Sequence, residues 1–170
     1  MSDHAHELAA QFRQVNADVI RFAQECSPDD WRRMVPNDGR SVAYLIDHIA
    51  FGYGLETKAM LVFVTGKEQP LAWDELPPTF TRADLDENNE QRWQMNPYPD
   101  REETIARLRA EGEKTATVIE NLSEAELRCT MKNGPWPETT VAQFIERPLT
   151  SHPGMHMPGI REEFARSSHD

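Results

Sequence analysis

The chain has 170 residues, enough for a single domain over residues 1–170 with a real core, and 18 Lys and Arg against 29 Asp and Glu give a net charge of −11. An acidic surface argues against nucleic acid and anionic lipid as partners, since both need clustered Lys and Arg. No apolar run approaches the roughly 20 residues that span a bilayer, and no basic leader precedes an apolar block; the expectation is a cytoplasmic protein whose Cys26 and Cys129 remain free thiols.

The first helix is predicted over residues 2–24, with Leu8, Phe12, Val15, Val19 and Phe22 three or four apart. Ser27 and Pro28 supply a cap and a first-turn proline for a short turn through Trp31, and Val35-Pro36-Asn37-Asp38-Gly39 is a turn signal. Ser41 caps a second long helix over residues 41–64, apolar at Val42, Leu45, Ile46, Ile49, Tyr53, Leu61 and Val64 and closed by Gly66. Periodicity weakens from residue 67 to 99, where Pro70, Pro77, Pro78, Pro97 and Pro99 punctuate a crossover holding one short helix, residues 82–94. A third long helix follows over residues 101–122, then a short turn at 123–126, a loop at 133–137 and a fourth helix capped by Thr139 or Thr140. No strand-like alternation is visible. The fold class is therefore all-α: an up-and-down four-helix bundle with a long crossover between helices two and three.

In the fourth helix Val141, Ile145, Leu149, His152, His156, Ile160 and Phe164 form one stripe. Imidazoles at i and i+4 point the same way and can share a metal ion. His48, on the second helix in line with Leu45, Gly52 and Leu55, is the mid-chain histidine able to complete a set, and Gly52 leaves room for a ligand or a close helix approach. His4, His6 and His169 lie near the termini and are read as solvated. Three neutral imidazoles leave coordination positions open, which marks a catalytic rather than a structural metal. Zinc or nickel suits such donors, and either would lower the pKa of a bound water or thiol. No HExxH motif, phosphate loop or nucleophile elbow is present, so no catalytic side chain is assigned. Asp47 points about 100° away from His48 on the helix and is a poor ligand. Arg40 and Arg161 read as solvated surface, with an anionic substrate as the other reading, and Trp31, Trp73, Trp93 and Trp136 as packing residues.

The order of elements resembles the DinB-like, or YfiT-like, family of metal-dependent four-helix bundles. The segments that carry the resemblance are Asp38-Gly39-Arg40-Ser41-Val42-Ala43-Tyr44-Leu45-Ile46-Asp47-His48-Ile49-Ala50 and His152-Pro153-Gly154-Met155-His156. The resemblance implies one metal-binding histidine in helix two and a pair in the last helix. It also implies a small-molecule substrate and a low-molecular-weight thiol as co-reactant, because relatives include mycothiol-dependent maleylpyruvate isomerase and bacillithiol transferases. Alternatives remain: a bundle that binds a small molecule or serves a stress response without turnover, and one whose histidines are only structural. Pro148, Pro153 and Pro158 depart from the family pattern and predict a kink, or a fresh helix start near Pro153. A homodimer is expected because Phe51, Met60 and Phe63 fall outside the main stripe of helix two and would leave an exposed apolar strip.

Overall fold

Capping side chains set the start of nearly every helix. The computed structural model describes residues 2–65, 81–131 and 137–167. Helix α1 (Asp3–Glu25) begins after Ser2, whose Oγ accepts from the Ala5 N–H, and α2 (Pro28–Arg32) after Ser27, with Pro28 in its first turn. A tight turn follows, with Gly39 at φ 65°, and joins β1 (Met34–Val35) to β2 (Arg40–Ser41) in an antiparallel pair with Met34 opposite Ser41. Ser41 then caps α3 (Val42–Thr65), its Oγ 3.0 Å from the Tyr44 N. Reciprocal capping boxes open α4 (Arg82–Met95) with Thr81 and Asp84, and α6 (Glu124–Leu127) with Ser123 and Glu126. Asp100 caps α5 (Arg101–Glu120). The strands β3 (Thr130–Met131) and β4 (Thr139–Thr140) pair antiparallel before Thr140 and Gln143 box the start of α7 (Val141–Phe144). A π-helical turn, Ile145–Leu149, carries the chain into α8 (Thr150–Ser167).

These elements form an all-α bundle. Helix α5 lies against both α1 and α3, and α8 packs on α1 and α3 as well. Phe12, Tyr44, Leu45, Ile46, Ile49, Tyr53, Met60, Leu108, Ile119, Phe144 and Ile145 are fully buried at the centre. Phe12 meets Tyr53 edge to face at 4.8 Å. A Cβ at Gly112 would collide with the Asn16 amide, so glycine there lets α1 and α5 close while Asn16 donates to the Leu108 carbonyl at 3.1 Å. Asp47 is buried, accepting from Arg92 at 2.9 Å and from Arg107, and so ties α3 to α4 and α5. Among the described residues no helix is long and apolar enough to cross a membrane.

Several expectations change. The two short strand pairs had no sequence signal. Met60 is buried, because α3 is covered on one side by α5 and on another by α7 and α8. Phe51 lies under the Arg92 guanidinium, 3.4 Å from its ring centre. The apolar strip expected to drive dimerisation therefore loses these two members; the Phe63 side chain lies outside the described residues. The irregularity of the last helix falls at the first of its three prolines. Pro148 falls within the π turn, whose wider bore relieves the clash between a proline ring and the carbonyl four residues back. Helix α8 starts at Thr150, three residues before Pro153, while Pro158 lies inside the helix. His6 lies 3.1 Å from Glu120 and His4 4.0 Å from Glu146, and both side chains stay open to solvent, 42% and 43% exposed. Trp31 is buried and donates to the Pro99 carbonyl at 2.8 Å, and Trp93 packs edge-on to Tyr44. Cys26 and Cys129 are free thiols. Gly66, Pro70, Trp73, Pro77, Pro78, Trp136 and His169 lie outside the described residues.

Candidate metal centre

His48 projects from the second turn of α3, and His152 and His156 from successive turns of α8, directly opposite. Nε2 of His48 and Nε2 of His152 lie 3.2 Å apart. One ligand nitrogen from each of His48, His152 and His156 falls within 4.8 Å of the others. With ordinary metal–nitrogen bonds of about 2.0–2.1 Å, two ligand nitrogens stand about 2.9 Å apart at right angles and about 3.3 Å apart in a tetrahedron. The His48–His152 spacing of 3.2 Å lies between these. The rings themselves are not stacked: the centroids are 5.0 to 5.4 Å apart and the planes are steeply inclined, so the nitrogens, not the ring faces, converge.

Glycine makes the convergence possible. A Cβ built on Gly52 would lie 2.5 Å from Cε1 and 2.7 Å from Nδ1 of His152, so the ring occupies the space a side chain would need. The far side of each α8 imidazole faces a carboxylate. His152 Nδ1 is 3.4 Å from Glu56, and His156 Nδ1 is 3.6 Å from Asp38. Neither contact closes to a hydrogen bond, and both Nδ1 atoms are buried without a partner; a carboxylate that did close on a ligating imidazole would orient it and raise its basicity. Tyr44 stacks on His48, nearly parallel at 6.1 Å, and its hydroxyl donates to the Asn89 carbonyl at 2.5 Å, bringing α4 over the site.

The electrostatics keep two of the three rings neutral. Burial depresses the His48 pKa well below that of free imidazole, and the neighbouring His152, His156, Arg92 and Arg40 charges add to it. His156 is lowered by burial and by His152, against the opposing pull of Asp38. For His152 burial pushes down, but the charge and contact of Glu56 outweigh it and the net shift is upward. Glu56, completely buried, is itself raised by desolvation, partly offset by His152. Its Oε2 and the His48 Nδ1 are buried without a hydrogen-bond partner. Neutral imidazole is the metal-binding form, so the donors present fit a divalent ion.

The centre opens into a cavity of about 430 Å3 between α3, α4 and α8. Phe51, Leu55, Pro148 and Met155 give it apolar walls, and Arg40, Arg82 and Asn89 give it a polar side. All three histidines singled out in the sequence thus meet at one place. Arg161 lines a separate shallow groove of about 210 Å3 between α1 and α8. Two supporting residues were missed. Glu56 could have been found, since His48, Gly52 and Glu56 are spaced by four along one helix face. Asp38 carries no comparable signal, because only the tertiary fold brings its turn to His156.

The chain belongs to the DinB superfamily, whose family model matches residues 11–157. No curated protein matches the chain, and no solved structure does.

Proposed function

We propose that this protein is a metal-dependent enzyme that holds one divalent ion, zinc or nickel, on His48, His152 and His156 and acts on a small molecule in the adjoining cavity. The observation that carries this reading is the convergence of three ligand nitrogens, within 4.8 Å of one another, at the floor of an open cavity. Such an ion would supply Lewis acidity and lower the pKa of a bound thiol or water, making a nucleophile near neutral pH. The protein's part is to position and to exclude. Glu56 and Asp38 stand beside the Nδ1 atoms of the two α8 imidazoles, burial favours the neutral form of His48, and Phe51 and Leu55 give the site an apolar wall. Because among the described residues no carboxylate or thiol joins the histidines in the converging set, positions remain for substrate, which fits thiol transfer, isomerisation or hydrolysis.

Elemental analysis of protein purified without an affinity tag tests the reading. One ion per chain is expected, with loss in His48→Ala, His152→Ala and His156→Ala. Metal retained in all three variants and lost on removing His4 or His6 would overturn it.

A further inference from the structure

We infer that the cavity beside the three histidines receives a small molecule with an apolar body and an anionic end, and that Arg40 is the residue that selects for the anion. The inference rests on the cavity being the functional site, but not on the identity or presence of a metal.

Arg40 lies in β2, immediately before α3, and its side chain is only 26% exposed while lining the cavity wall. Its guanidinium is held over the Tyr44 ring at 5.2 Å, so the group is braced from beneath rather than extended into solvent. Glu90 contacts one guanidinium nitrogen at 3.2 Å, and that carboxylate is 51% exposed. A pair so open to water contributes at most about 1 kcal/mol. A guanidinium carries five N–H donors in a planar fork, so a carboxylate arriving from the cavity side can add to Glu90 or displace it at little cost. Bidentate recognition of this kind is geometrically selective.

The rest of the cavity is mixed: Glu56 and Asp86 are acidic, Asp86 being paired to Arg82 at 2.9 Å, and another side is apolar. Phe51, Leu55, Pro148 and Met155 line it, and Met155 is 69% exposed, an apolar side chain left uncovered at the mouth. A ligand that places its chain or ring against these residues would bring its acid group to Arg40. The chain as a whole carries a net charge of −11, and Arg40 is the more shielded of the two arginines that line the cavity, 26% exposed against 71% for Arg82.

The experiment compares acids with their neutral isosteres on metal-stripped protein, using octanoate beside octanamide and hydrocinnamate beside hydrocinnamamide, with affinities from chemical-shift titration. Each acid is expected to bind about tenfold more tightly than its amide, equivalent to about 1.4 kcal/mol. Arg40→Met should abolish that preference while leaving amide binding within about twofold, and Arg161→Met should leave both unchanged. Equal binding of acid and amide by the parent overturns the inference, as does failure of every probe to bind at millimolar concentration. A preference that persists in Arg40→Met also overturns it. Repeating the titration with zinc restored separates this inference from the metal reading. An acid preference that appears only with zinc and survives Arg40→Met would place the anion on the metal and refute Arg40 alone. A preference without metal that Arg40→Met removes stands even if no ion ever binds.

Discussion

Gly52→Ala tests whether the metal centre depends on helix proximity rather than on the histidines alone. Adding one methyl group to α3 places a carbon 2.5 Å from Cε1 and 2.7 Å from Nδ1 of His152, well inside contact distance. The ring must move, and with it the 3.4 Å contact to Glu56 and the 3.2 Å approach of Nε2 to His48. Overpacking of this kind costs about 1–3 kcal/mol, while exchanging glycine for alanine inside a helix returns about 1 kcal/mol. Stability should therefore change by between nothing and a loss of about 2 kcal/mol. Metal affinity should fall by more than the roughly 10–100-fold that follows loss of a supporting contact, because a ligand itself is displaced. Urea unfolding of metal-free protein gives the first quantity and competition with a chelating dye the second. Gly54→Ala is the internal control: its Cβ would face only the mobile end of Glu111 at 3.3 Å, so metal binding should stay parental. If Gly52→Ala binds metal as tightly as the parent, the close packing of α3 and α8 does not govern the site and the reasoning is wrong.

Glu56→Gln and Asp38→Asn should each weaken metal binding about 10–100-fold with all three histidines in place; unchanged dissociation constants would show that the carboxylates are bystanders. Asp47→Ala should cost about 3 kcal/mol in urea unfolding, since it leaves Arg92 partly buried with no counter-charge, yet should spare metal content. A native chain should expose Cys129 to thiol reagents much faster than Cys26, whose thiol burial pushes up to about 11; equal rates would contradict the packing. Because the folded chain keeps the Cys26 proton to about pH 11 while an unfolded thiol loses it near about 8.5, stability should decline as pH rises through that window. Cys26→Ala should lessen the decline, and a decline of parental size in that variant would refute the assignment.

The local chemistry of helix starts was legible because each cap involves residues three apart: Ser41 with Tyr44, Ser123 with Glu126, Thr140 with Gln143. The three histidines were legible for the same reason, as positions on apolar stripes. What escaped is set by neighbours in space. Asp47 was read as a poor ligand, and its role as a buried anchor depends on Arg92 and Arg107, which arrive from two other helices. Met60 looked like a surface residue because a single stripe predicts a single partner, whereas α3 is enclosed on several sides. Strand pairs of two residues are too short to show any alternation at all.

The stripe of the last helix, from Val141 to Phe164, advances by four, four, three, four, four and four residues. An ideal α-helix would let such a stripe wander by about 140° around its axis. The π turn at Ile145–Leu149 takes up most of that drift by holding, in effect, one surplus residue. The aim of His152 and His156 is thus decided upstream of both, by the length of the chain rather than its chemistry. Losing a single residue from that turn would rotate everything beyond it by about 100° and swing the pair away from His48, although every histidine would still be present. In a bundle of this kind a one-codon deletion acts as an off-switch that inspection of the ligand residues alone would never reveal.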